Sequence, residues 1–418
     1  MKIGYACIFL GDEQSRQRTC TLKYITEEKL QEIISHNLQA LRRILAFNAA
    51  HNIMMYRLSS DIIPFGSSPV NTLPWQSIYR KELEEIGNFV KEKGMRVSSH
   101  PGQYTILNAL NVEIIERSKL DLEYHCSILD MMGLDSSHKM VLHIGGIYND
   151  KDCAMQRFID VYRTLPEHIQ RRLVIENDDR YYTVEDVLKI SSYTHIPVVF
   201  DNLHHEILPP EEYKSIGEWL MLVRDTWKKE DGVQKVHYSE QAVGKRLGAH
   251  AQHVTSNVFF SFLTQVPFDV DVMLEVKDKN ISACKIQCLL EPNNACFYEE
   301  WKYYKYLFYL HSLADYTYYE YLFSEHKDID RMDFYQLAER YLREEVMNEN
   351  YRMLFQFIKR NWQDIVSERS MKLYIRMMEN YCEKNTSSSL FVSAIYRIAT
   401  REQLVDEIAG LILLQMLV

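Results

Sequence analysis

The amino-acid sequence predicts an α/β fold, a (β/α)8 TIM barrel with an appended C-terminal α-helical region. Between the N-terminus and about residue 290, eight short runs rich in β-branched and aromatic residues alternate with eight longer amphipathic stretches. That alternation is the pattern of parallel strands joined by crossover helices. Eight such units in about 290 residues fit a closed barrel better than an open sheet. No GxGxxG follows the first run, so a dinucleotide-binding sheet loses support.

The strand runs are 2–8 (KIGYACI), 54–59 (MMYRLS), 95–100 (MRVSSH), 139–145 (KMVLHIG), 172–177 (RLVIEN), 196–202 (IPVVFDN), 234–239 (QKVHYS) and 270–277 (VDVMLEVK). Helices are expected at roughly 26–50, 75–94, 111–132, 152–165, 183–193, 211–229, 254–265 and 281–291. Thr26, Asn111 and Thr183 stand where N-caps belong, and Pro209-Pro210 before Glu211-Glu212 predicts another helix start. Strand signals fade over 299–418, leaving a barrel at 1–290 and a helical extension of unassigned role. The aromatic stretch from Trp301 to Phe323 reads as helical core, because aromatics supply large buried area. The polar run EKNTSSS (383–389) reads as a surface loop.

With 46% hydrophobic and 25% charged residues, the 418-residue chain has the composition of an ordinary globular protein. No apolar run approaches the roughly 18 residues that span a bilayer, and the final IAGLILLQMLV is too short as well. The opening Met-Lys-Ile-Gly-Tyr runs directly into a strand and has no signal-peptide character. Eight scattered cysteines without a CxxC pair suggest reduced thiols, and the expectation is a cytoplasmic protein. The net charge of −10 argues mildly against a nucleic-acid partner. Acidic metal ligands can nevertheless outweigh a local basic groove, and it is the groove that meets phosphates.

Reacting groups in such barrels gather where the strands end. The third run ends at His100, the fourth at His143 and the fifth at Glu176. The sixth ends with Asp201, followed by His204 and His205; the seventh carries Lys235 and His237; the eighth carries Glu275. His250 and His253 lie in the loop after the seventh run. Any one of these has a structural explanation, but six consecutive strand ends would point into one cavity. Gathering carboxylates and imidazoles there without counter-charge is costly, and divalent cations remove the cost. Mixed His and carboxylate donors suit Zn²⁺, Mn²⁺ or Fe²⁺. The ligand count predicts two or three ions, a grouping that favours phosphoryl chemistry. A metal-dependent sugar isomerase or epimerase on a related barrel is the alternative. Basic residues near the mouth, Arg57, Lys245 and Arg246, with Lys277 and Lys279 after the eighth strand, are candidates for positioning phosphates.

Several strings resemble the ultraviolet-damage endonucleases: MKIGYAC, SSHPGQYT (98–105), VLHIGG (141–146), RLVIENDD (172–179), VVFDNLHH (198–205), KVHYS (235–239), GAHAQH (248–253) and MLEVKDK (273–279). The resemblance spans residues 1 to about 290, in the expected order. It implies a metal-dependent barrel with three ions, Mn²⁺ favoured, that cuts damaged double-stranded DNA 5′ to pyrimidine dimers, 6-4 photoproducts or abasic sites. The products would be a 3′-hydroxyl and a 5′-phosphate, with neither a nucleotide cofactor nor a membrane involved.

By resemblance, His100, His143 and Glu176 are ligands of one ion, and Glu176, Asp201, His237 and Glu275 of a second, with Glu176 bridging. His204 and His250 resemble ligands of a third, with His253 a weaker candidate. Lys235 resembles a lysine that can be carboxylated, and with Glu176 and Glu275 completes the expected catalytic set. Gln103 and Tyr104 resemble a pair that probes the duplex opposite a lesion, and Tyr5 a tyrosine near it. Ile8-Phe9 and Ser68 stand where relatives carry polar residues and a histidine, departures that bear on damage preference.

Overall fold

The computed structural model describes residues 1–291, 295–384 and 387–417. Two compact units divide the chain: Met1–Ile8 with Gln14–Ala283, and Phe9–Glu13 with Cys284–Val418.

The first unit contains eight parallel strands: β1 (Ile3–Ala6), β2 (Met55–Arg57), β3 (Arg96–Ser98), β4 (Met140–His143), β5 (Leu173–Glu176), β6 (Val198–Asp201), β7 (Lys235–Tyr238) and β8 (Asp271–Leu274). Their order is β3-β2-β1-β8-β7-β6-β5-β4. A single bridge between Ser99 and Met140 joins the two ends, through Ser99 N–H to the Lys139 carbonyl (3.0 Å) and Val141 N–H to the Ser99 carbonyl (3.0 Å). The sheet thereby closes into the barrel.

Side chains alternate with period two along each strand, so one set faces the barrel axis and the other the surrounding helices. Register aligns the inward set in tiers. Val141, Val174 and Val199 meet on one side, and Ala6, Met55 and Met273 on the other. Gly4 is needed on β1, because a Cβ there would lie 2.3 Å from the Met55 carbonyl oxygen. Below these apolar tiers, at the strand starts, Arg96 is fully enclosed. It pairs with Asp271 at 2.9 Å and donates to the carbonyls of Ser137 (2.9 Å) and Asp231 (2.8 Å). Lys139 pairs with Asp231 in the same layer. This plug belongs to the face of the barrel that serves stability.

The helices follow the strands as expected, and their starts show why. Thr26 caps the helix Glu27–Ala50 through Lys29 N–H, and Asn111 caps Val112–Met131 through Glu113 N–H. Thr183 and Asp186 form a reciprocal capping box on Val184–Thr194. The helix expected from Pro209-Pro210 begins later, at Ile216. Ser215 and Glu218 form a second capping box there, the Glu218 N–H donating to the Ser215 hydroxyl and the Ser215 N–H to the Glu218 carboxylate. A short helix, Asn202–Ile207, precedes it, capped by Asp201.

The second unit is helical from Trp301–His311 to Val405–Leu417. Its aromatic stretch is core: Trp301 stacks on Phe323 with centroids 5.3 Å apart, and Phe308 on Phe334 at 5.3 Å. Ile408 through Leu414 are buried, with Leu411 and Leu414 in a cluster with Leu354, Phe355, Trp362 and Phe391. Of the expected loop at 383–389, Glu383 and Lys384 end one helix and Ser388 begins the next, while 385–386 lie outside the described residues. Among the described residues no disulfide forms, and no helix is long and apolar enough to cross a membrane.

Candidate metal centre

At the other end of the barrel the uppermost inward tier is polar. Register sets His143 beside Glu176 and Asp201 beside His237; His100 follows β3 and Glu275 follows β8. Among the described residues, two groups place their donor atoms within 4.8 Å of one another: His100, His143 and Glu176; and Glu176, Asp201, His237 and Glu275. Glu176 belongs to both. Its Oε2 lies 3.4 Å from His100 Nε2 and 3.5 Å from His143 Nε2. Its Oε1 accepts from His237 Nδ1 at 2.7 Å, and Glu275 Oε1 lies 3.0 Å from that nitrogen.

Glu176, Asp201 and His237 are buried, and several buried polar atoms of the tier lack hydrogen-bond partners: Glu176 Oε2, Asp201 Oδ2, His237 Nε2 and His143 Nδ1. Leaving such atoms unpaired is expensive, and cation coordination would satisfy them. The electrostatics agree. Burial alone would raise the Glu176 carboxyl, but His237 and His143 outweigh it and hold Glu176 well below the carboxylate range. Burial likewise opposes ionisation of Glu275, yet Arg57 and His237 hold it at about 2. Asp201 goes the other way, pushed up to about 8 by burial, which His204 opposes and the Glu176 and Glu275 charges reinforce. Three carboxyls cannot all ionise here unaided, and a divalent cation would take the place of the retained proton. The donor set can hold a metal.

A family model described as UV-endonuclease UvdE matches residues 1–291. The chain belongs to the UvdE family. A UV DNA damage endonuclease of Clostridium perfringens is 41% identical over 349 residues, covering 82% of this chain and 83% of that protein. One from Bacillus cereus strain Q1 is 35% identical over 259 residues, covering 61% and 81%. The crystal structure of SacUVDE matches with a TM-score of 0.66 and 40% identity, covering 70% of this chain and 99% of that one. Membership decides between the two chemistries that the residues left open. The chain is a UV-damage repair endonuclease acting on DNA, in place of a sugar isomerase or epimerase.

Within this UvdE barrel the remaining candidate residues fall into several places. His204 and His250 stand beside the two donor groups, ring centroids 6.4 Å apart. His204 Nδ1 lies 3.8 Å from Glu176 Oε1 and 3.8 Å from Asp201 Oδ1, and His250 Nδ1 lies 3.9 Å from Glu275 Oε2. His253 is half-buried further along the same loop and joins neither group. Gln103 and Tyr104 form a turn just beyond His100, with Tyr104 81% exposed. Lys245 and Arg246 are exposed in the loop after β7. Lys235 lies a tier below His237, fully buried, with its Nζ unpartnered. Burial, with Arg96 and Arg57, pushes it far below the ordinary lysine value.

Two of the expected DNA contacts are enclosed within the barrel unit. Tyr5, expected near the lesion, is completely buried on the helix side of β1, where its hydroxyl donates to Asn48 Oδ1 at 2.8 Å and its ring packs edge-on against Tyr56. Arg57, expected to meet phosphates, is buried in a salt bridge to Glu275 at 2.7 Å. Of the two departures, Phe9 is buried and belongs to the second unit, and Ser68 is a half-buried turn residue whose Oγ accepts from Val70 N–H at 3.4 Å.

Sequence reasoning gave no role to Asn177. This buried residue holds Asp201 through both backbone groups (2.9 and 3.1 Å), and its own carbonyl meets His204 Nδ1 at 2.9 Å. It orients two neighbours of the centre, as outer-shell groups do. Its signal was its place directly after Glu176 in the IEND string.

Proposed function

We propose that the chain incises duplex DNA immediately 5′ to UV photoproducts, and to abasic sites, leaving a 3′-hydroxyl and a 5′-phosphate. The observation that carries this reading is the pair of donor groups sharing Glu176 at the barrel mouth. Two or three ions, Mn²⁺ preferred, would be held by His100, His143, Glu176, Asp201, His237 and Glu275, with His204 and His250 completing the set. Bound there, such ions supply charge neutralisation on the phosphate and an activated water.

The chain's own residues do the rest. Glu176 bridges the two groups, so its loss disrupts both. Arg57 keeps Glu275 ionised, and Asn177 fixes Asp201 and His204. Lys235 is buried with its Nζ unpartnered, and burial favours its neutral amine, the form that would add carbon dioxide with loss of a proton to give an anionic carbamate beside the ligands. Gln103 and Tyr104 would probe the stack, since a damaged step costs less to open than an intact one. Lys245 and Arg246 would meet the backbone phosphates.

The test is an end-labelled duplex carrying one thymine dimer, incubated with purified protein and Mn²⁺. A single nick 5′ to the dimer is expected, religatable because of its 3′-hydroxyl and 5′-phosphate. Absence of incision with Mn²⁺, Zn²⁺ and Mg²⁺ alike overturns the reading.

A further inference from the structure

The loop between β7 and the helix Ser256–Leu263 is a built hairpin. Gln241 and His250 form an antiparallel bridge. Ala242 N–H donates to the Ala249 carbonyl (2.7 Å) and Ala251 N–H to the Glu240 carbonyl (2.8 Å). The Gln241 side chain braces the tip from within, accepting from Gly248 N–H at 2.8 Å and donating to the Arg246 carbonyl at 3.0 Å. Gly248 has φ +81°, and a Cβ there would meet Asp179 Oδ2 at 2.6 Å, so the turn demands glycine. Lys277 N–H to the Ala251 carbonyl (3.2 Å) and Asp278 N–H to the Gln252 carbonyl (2.8 Å) tie its base to the segment after β8.

This braced hairpin displays two apolar side chains at its tip: Val243 is 96% and Leu247 70% exposed. Between them in sequence lie the exposed cations Lys245 and Arg246. Its returning strand carries His250, at the edge of the metal centre. β7 is four strands from β3 in either direction round the eight-stranded ring, so the hairpin rises across the mouth from the Gln103-Tyr104 turn. An ordered tip with exposed apolar residues and adjacent cations matches the composition of wedges that enter a DNA groove, unstack a step and hold its phosphates.

Resting on the nuclease reading above, we propose that Val243 and Leu247 form a second insertion finger. It opens the duplex on the flank of the metal centre opposite Tyr104, with Lys245 and Arg246 clamping the adjacent phosphates. Damage is then read at two points, one on each side of the reacting phosphate.

The experiment uses the full chain and thymine-dimer duplexes carrying 2-aminopurine on one flank or the other. Parent protein is expected to raise fluorescence on both flanks. The Val243→Ser/Leu247→Ser double variant should lose the rise on one flank only, and Tyr104→Ala on the other. The double variant should also bind at least about tenfold more weakly, through KM with kcat retained, and with unchanged thermal midpoint. Lys245→Gln/Arg246→Gln should reduce the slope of log K against log salt by about two. If the double variant opens both flanks and incises like the parent, the finger is refuted while the nuclease reading stands. If the parent itself neither incises nor binds the dimer duplex, both fail.

Discussion

Arg57 on β2 donates to Glu275 beyond β8 at 2.7 Å, with β1 and Arg57's register partner Ala6 lying between those two strands in the sheet. Both side chains are largely enclosed, 8% and 14% exposed. Arg57 is therefore an internal counter-charge for the carboxylates of the candidate metal centre.

Arg57→Met should accordingly cost about 3 kcal/mol of stability in the metal-free protein, because it strands a buried carboxylate. With saturating Mn²⁺ the loss should shrink, since the ion supplies the missing positive charge. Denaturant titrations in EDTA and in Mn²⁺ give the comparison, and equal losses would contradict the counter-charge role.

Glu176→Gln keeps the shape of the shared ligand and removes its charge. Incision should fall by about a thousandfold or more, several kcal/mol of transition-state stabilisation. The parent should gain about 2.7 kcal/mol of stability at an ion concentration of roughly a hundred times Kd, and the variant much less. Thermal melts with and without Mn²⁺, run beside single-turnover incision, measure both quantities.

Tyr104→Ala touches an exposed ring, so stability should change by no more than about 0.5 kcal/mol. The ratio of incision on dimer-containing to intact duplex should drop several-fold while ion-dependent stabilisation persists. A variant with full discrimination would remove Tyr104 from the probing role.

Acid should weaken the barrel through His138. Burial dominates its environment and lowers it from 6.5 to about 4, while its Nδ1 lies 3.1 Å from Val97 N–H. The unfolded chain takes up this proton first as pH falls, so the contribution is complete above pH 6.5 and is lost towards pH 4. It amounts to about 3 kcal/mol. In His138→Gln the unfolding free energy should be flatter with pH across that window.

The strands and the metal tier were legible because each inward face changes character at its end: Val174 gives way to Glu176, Val199 to Asp201 and Val141 to His143. A charged residue two positions beyond an apolar one announces both strand and mouth. The burial of Tyr5 was not legible, for the converse reason. IGYA is buried on both faces, so nothing in its composition reveals which parity faces the axis. Arg57 has inward parity, but whether such a cation meets a phosphate or a carboxylate depends on Glu275, 218 residues away. The false helix start at Pro209 reflects a local contest, in which a full S-x-x-E box at Ser215 outcompetes a proline pair.

The ring of strands has one thin joint. Every neighbouring pair but one shares at least two register positions, whereas β3 and β4 share the lone Ser99–Met140 contact. His100 and His143 stand on either side of that joint, ring centroids 5.1 Å apart. An ion gripped by both would staple the seam shut, so cofactor loading and barrel breathing become one equilibrium. Amide exchange at Ser99 and Val141 should slow on Mn²⁺ addition more than exchange at β7, and an ion held there would then fasten the fold as well.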